Sequence, residues 1–145
     1  MNKIRVSRTI LRLHGSFLIL LTGFLIIFSL IGTFQGVGIA AVLSTYPLVE
    51  VGLFQAYALM MLAGIVLWIG SFQNNPGKWH AVGFLAHLSP FLANFMFADL
   101  LASSGLPGAA PPGTIPLHGS LMVVELAALV YYFSKAGASE RQVKR

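Results

Sequence analysis

The chain has 145 residues, of which 57% are hydrophobic and only 9% are charged. A soluble domain carries about 25% charged residues, so this composition excludes an ordinary soluble enzyme and a disordered chain. Cysteine is absent, which excludes disulfides, thiolate-bound metals and iron–sulfur clusters. The net charge of +5 does not indicate nucleic-acid binding, because the basic residues flank apolar segments and form no basic face with interleaved aromatic residues.

Four apolar segments are long enough to cross a bilayer, for which a helix needs about 20 residues. We therefore predict an all-α, integral membrane four-helix bundle that forms a single domain over residues 1–145. The first segment is too long for the core of a cleaved signal peptide, so it is predicted to be a retained span. The predicted spans are residues 13–34, 53–72, 79–101 and 115–133.

The nine Lys and Arg residues all fall on one side of these spans. Four precede the first span, Lys78 lies between the second and the third, and four follow the last span, where residues 134–145 form a basic tail. Because Lys and Arg accumulate on the cytoplasmic side, both termini are predicted to be cytoplasmic. The expected location is a prokaryotic inner membrane or a thylakoid membrane, with membrane lipid in contact with the tail.

The connections on the other side are longer than the inner turn. Residues 36–52 are predicted to form a short interfacial helix or a lid. Residues 102–116 are rich in Pro and Gly and are predicted to be an irregular loop, ended by Pro116 in the first turn of the last helix. The inner turn at 73–77 is short, which makes the second and third helices antiparallel neighbours.

Small residues and hydroxyl groups share one face of each of the first two spans. In lipid, such faces are typical of close helix contacts, and we interpret them in that way. The residues are Gly15, Thr22 and Ser29 on the first span, and Tyr57, Gly64 and Ser71 on the second.

The third and fourth spans each carry polar side chains at seven-residue spacing, which places them on one stripe of each helix. Ionisable residues inside a span are costly and mark function by default. If the two stripes face each other, depth estimates from a rise of about 1.5 Å per residue give three pairs. The pairs are His80 with Tyr132, His87 with Glu125, and Asn94 with His118.

Glu125 and His87 are the candidate catalytic residues. A carboxyl group in apolar surroundings can act as a general acid or proton carrier, with His87 as base or orienting partner. Asn94 on the same stripe and Asp99 near the outer edge complete the candidate set. A purely structural hydrogen bond between Glu125 and His87 is the alternative interpretation.

The four histidines also suggest cofactor binding. His14 and His80 lie at similar depth near the cytoplasmic edge, so two helices could clamp a haem iron between them. A single axial bond to another tetrapyrrole, from His87 or His118, is an equally open alternative. No metal-ion site is predicted, because no two histidines on one helix have the spacing of metal ligands.

Three functions remain open from the sequence. The first is a subunit or binding module of a larger membrane complex or homo-oligomer, holding a lipid, quinone or pigment between its helices. The second is a small enzyme that uses Glu125 and His87 for isomerisation, cyclisation or epoxide opening of a hydrophobic substrate. The third is a haem-binding electron carrier. A nucleic-acid partner is not expected.

Overall fold

A computed structural model describes residues 2–37, 41, 45–103 and 111–134. Every regular element in these residues is helical, which confirms the predicted all-α class for this part of the chain. The elements, in chain order, are α1 (Lys3–Gln35), α2 (Pro47–Gly70), a 3₁₀ turn (Pro76–Lys78), α3 (Trp79–Met96), the short α4 (Ala98–Ser103) and α5 (Pro111–Ser134).

Three helices, α1, α2 and α5, are long and apolar enough to cross a membrane. Most of their apolar surface points outwards, and large side chains such as Leu20, Phe34 and Leu48 are exposed, as expected where lipid is the solvent. The 18-residue α3 is not among them, because its two histidines and its asparagine lower its mean hydropathy.

Helix α1 begins earlier than the predicted first span. The Asn2 side chain accepts a hydrogen bond from the Ile4 N–H (3.0 Å), which satisfies one of the free amides at the helix start. The helix ends at Gly36, whose φ of 65° favours glycine and whose N–H donates to the Gly32 carbonyl at 2.9 Å. The added turns bring Ser7 into the folded bundle.

The other boundaries also differ from the prediction. The predicted third span is divided, since α3 ends at Met96 and α4 follows after Phe97. Helix α5 begins at Pro111, so Pro116 lies inside the helix and not in its first turn. Of the predicted lid, the part from Pro47 onwards belongs to α2, whereas residues 38–40 and 42–44 lie outside the described residues, as do residues 104–110 and the basic tail from 135 onwards.

Helices α1 and α2 pack closely through a pair of glycines. A Cβ atom on Gly15 would lie 2.7 Å from the Gly64 carbonyl oxygen, and one on Gly64 would lie 2.9 Å from the Gly15 oxygen. Beside this crossing, Leu11, Leu18 and Leu67 form a small buried core. The small-residue faces therefore form the predicted helix contact.

Helices α3 and α5 form the second close pair, and α1 contacts α5 across the bundle. Two glycines on the α3 side leave room for large side chains of α5. The Tyr132 ring packs on Gly77, and a Cβ atom on Gly83 would lie 2.8 Å from the Glu125 carboxyl carbon. The polar stripes of α3 and α5 thus face each other, as predicted, and they meet a histidine of α1.

Candidate acid–base site

Glu125 of α5 is the centre of a buried hydrogen-bond network. Its side chain has no exposed surface, and its Oε2 atom lies 2.5 Å from Nδ1 of His80 on α3. Its other oxygen, Oε1, is hydrogen-bonded to Nδ1 of His14 on α1. A buried carboxylate is tolerated only when both oxygens have partners, and helices α1 and α3 supply them here.

Two arms extend from this carboxylate. In the short arm, the Ser7 hydroxyl oxygen lies 2.7 Å from Nε2 of His80. In the long arm, Nε2 of His14 lies 2.8 Å from Nε2 of His87, and Nδ1 of His87 lies 3.0 Å from Nδ1 of His118. The His14 and His87 rings are stacked, with centroids 4.9 Å apart. The network therefore contains Glu125 and all four histidines of the chain.

The hydrogen bonds can all point towards an ionised Glu125. A neutral imidazole has one N–H donor and one acceptor nitrogen, and its tautomer is inferred from its partners. With the protons of His14 and His80 on Nδ1, both rings donate to the carboxylate. His87 then donates from Nε2 to His14 and accepts from His118 at Nδ1. This assignment satisfies every nitrogen between Glu125 and His118.

The register of α3 against α5 differs from the predicted one by about two helical turns. No direct bond joins His87 to Glu125, because His14 of α1 bridges them. The sequence-based depths shift α5 along α3 by these two turns, because they do not take into account that Tyr132 packs on Gly77 and Glu125 packs on Gly83. The observed pairs are His80 with Glu125, His87 with His118, and Asn94 with Thr114.

Two candidate residues lie outside the network. Asn94 is half-buried; its amide oxygen accepts a hydrogen bond from the Thr114 hydroxyl (3.0 Å), and its nitrogen donates to the Pro90 carbonyl (2.7 Å). Asp99 is exposed on α4. The structure thus brings Glu125 together with the histidines but not with Asn94 or Asp99.

The comparisons with family models, with curated proteins and with solved structures gave no match.

The predicted haem clamp does not fit this arrangement. Glu125 fills the space between the Nδ1 atoms of His14 and His80, and both rings also use their Nε2 atoms in hydrogen bonds. A haem iron would have to replace one of these bonds. Across residues 2–37, 41, 45–103 and 111–134, no group of three or more potential ligands has a geometry that could hold a metal ion.

An apolar groove between α1 and α5 leads to the network. It has a volume of about 240 Å³, and His14 is the one ionisable residue among its lining residues. The residue that bonds Glu125 is thus also one of the residues that line the groove. The groove is lined by Ile10, Leu13, His14, Phe17, Leu121 and Val124.

Sequence reasoning missed two residues. Ser7 was not considered because it precedes the predicted first span, although it lies seven residues before His14, the spacing of the other polar stripes. Thr114 falls in the predicted loop 102–116, whereas in the structure it is part of α5 and bonds Asn94. Extending the seven-residue pattern beyond the apolar window would have found Ser7.

Proposed function

We propose that the chain crosses the membrane four times, with both termini on the cytoplasmic side. At about 1.5 Å per residue, the 18 residues of α3 extend about 27 Å, close to the thickness of a hydrocarbon core. The polar stripe of α3 faces α1 and α5, so α3 can cross despite its lower hydropathy. Contacts of Arg8 and Arg12 with residues 71–73 hold the start of α1 beside the inner turn that carries Lys78.

We further propose that the protein binds a lipophilic molecule in the groove at His14 and transfers protons to or from it. The observation that carries this proposal is the position of His14, which is one of the residues that line the groove and bonds Glu125 with Nδ1. A carboxylate behind an imidazole fixes its tautomer and stabilises its charged form, which is the arrangement used in general acid–base catalysis.

In this proposal His14 is the group that meets the substrate and Glu125 is its positioning partner. A polar substrate atom would replace His87 at Nε2 of His14 and exchange a proton there. Nε2 of His14 would take a proton from one substrate atom and return it to another. After the product leaves, the bond between His14 and His87 forms again, and His87 and His118 can then exchange that proton along the long arm, since each imidazole can accept at one nitrogen while it donates from the other. Isomerisation, cyclisation and epoxide opening all need such a proton at one carbon or oxygen.

The test is solvent deuterium incorporation. The purified protein is incubated in D₂O with the lipid extract of its native membrane, and the lipids are analysed by mass spectrometry. We expect one lipid species to gain carbon-bound deuterium or to form a deuterated product. Replacing the carboxylate behind a catalytic imidazole by an amide favours the wrong tautomer and costs about 10⁴-fold in the Ser-His-Asp triad, so Glu125→Gln should lower incorporation by at least about 10²-fold.

Glu50→Gln is the matched control, because Glu50 bonds the Thr33 hydroxyl of α1 away from the network. It should keep the wild-type rate. If wild-type protein incorporates no more deuterium than heat-inactivated protein, the acid–base proposal is wrong. Stoichiometric co-purification of a larger membrane protein in that case would favour the alternative function, a non-catalytic subunit.

A further inference from the structure

The end of the bundle at the inner turn is strongly basic. Helix α1 contributes Lys3, Arg5, Arg8 and Arg12, and the 3₁₀ turn contributes Lys78. The acidic residues that the structure describes lie elsewhere: Glu50 at the start of α2, Asp99 on α4, and Glu125 inside the bundle. Five cations therefore share one end with no described carboxylate.

Two of these cations converge on the inner turn. An Nη atom of Arg8 contacts the Gln73 carbonyl oxygen (3.4 Å), and Nε of Arg12 donates to the Ser71 hydroxyl (3.2 Å). The Arg12 guanidinium also lies over the Phe72 ring, 4.6 Å from its centroid. These contacts hold both guanidinium groups against residues 71–73, which gives them fixed positions that freely moving surface side chains do not have.

The contacts leave donor capacity unused. Each guanidinium has five N–H donors, and Nε of Arg8 is buried without an acceptor among the residues that the structure describes. Within the same residues, the ion pairs are those of Glu125 with His14 and His80, so neither arginine pairs with a carboxylate. Both guanidinium groups therefore keep N–H donors that none of these contacts uses.

We propose that Arg8 and Arg12 form a binding site for the phosphate group of an anionic membrane lipid at the inner turn. Planar guanidinium groups match phosphate oxygens in charge and geometry. The site lies at the helix ends, where the lipid headgroups of the cytoplasmic leaflet are located. It depends on the membrane location of the chain and not on the proposed acid–base chemistry.

The site is tested by lipid retention. The protein is reconstituted in bilayers of phosphatidylcholine and phosphatidylglycerol, extracted in mild detergent and analysed by native mass spectrometry. We expect phosphatidylglycerol to remain bound in preference to phosphatidylcholine. Losing a charge-assisted hydrogen bond to phosphate costs roughly tenfold in affinity or more, so Arg8→Gln and Arg12→Gln should each lower phosphatidylglycerol occupancy by at least about that factor.

Arg5→Gln is the matched control, because Arg5 is an exposed arginine of the same helix. It should lower occupancy clearly less than Arg8→Gln or Arg12→Gln, because it removes diffuse attraction and no contact with the phosphate. Equal losses in all three variants, or equal retention of both lipids, would overturn the site and leave only diffuse attraction. If Arg8→Gln does not fold, Arg8→Lys keeps the charge but replaces the planar guanidinium by an ammonium group, and should still lose occupancy. Inorganic phosphate added to lipid-free protein separates a lipid phosphate from a free phosphate as the ligand. If phosphate alone stabilises the wild type but not Arg8→Gln, the site binds a free anion and not a lipid.

Discussion

The Glu125 side chain is fully buried, although removing a carboxylate from water is costly. Its carboxylate has a histidine on each oxygen, and neither histidine comes from its own helix. The space for the carboxyl group comes from Gly83 on the facing turn of α3, where a Cβ atom would collide with it. The buried carboxylate at position 125 therefore requires a glycine at position 83.

The close packing of Gly83 against Glu125 can be tested by substitution. In Gly83→Ala the new Cβ atom would lie 2.8 Å from the Glu125 carboxyl carbon, so the carboxylate must move away from His80. Overpacking costs roughly 1–3 kcal/mol, and we expect a clear fall in the thermal unfolding temperature in detergent. Gly23→Ala is the control, since a Cβ atom there meets no atom within 4 Å. An equal effect of both substitutions would contradict the assigned packing.

Sequence reasoning could identify the residues of the site but not their partners. The seven-residue spacing of His80, His87 and Asn94 places them on one stripe whatever their surroundings. Their pairing depends on how far α5 slides along α3, and a slide of two turns keeps the same stripes in contact. Gly77 and Gly83 opposite Tyr132 and Glu125 decide the register, and no depth estimate from bilayer thickness contains that information.

At the scale of elements, the α3–α5 register can be measured by crosslinking. The chain has no cysteine, so introduced pairs have no background. Since the Thr114 hydroxyl bonds the Asn94 side chain, Asn94→Cys with Thr114→Cys should form a disulfide rapidly on copper-phenanthroline oxidation. Asn94→Cys with His118→Cys, the pair in the sequence-based register, is the comparison and should react more slowly. Faster crosslinking of Asn94→Cys with His118→Cys would support the sequence-based register.

The observed helix boundaries also differ from those predicted by hydropathy, and these differences have a common cause. Hydropathy detects where a segment can be buried in lipid, not where its hydrogen bonds begin. Helix α1 starts at Lys3 because Asn2 caps it, although its first two turns are basic. Helix α5 likewise starts at Pro111, ahead of its apolar window, because a proline is well tolerated in a first helical turn.

The proposed four-span topology determines which residues lie on the same side of the membrane. We expect single cysteines at Arg5 and Lys78 to react with a membrane-impermeant maleimide in inside-out vesicles and to be protected in right-side-out vesicles. Ser103→Cys, which follows α3 at the other end, should show the opposite pattern. Labelling of Ser103→Cys from the same side as Lys78→Cys would mean that α3 does not cross the membrane.

The network also has a consequence for how the chain is made. His14 and Glu125 are 111 residues apart, so the first helix is synthesised long before its carboxylate partner exists. If the proposed spans are correct, the imidazoles of His14 and His80 lie in the membrane without their carboxylate partner until α5 is inserted. The bonds of Glu125 therefore join the last helix to α1 and α3 only after the whole connecting chain has been synthesised.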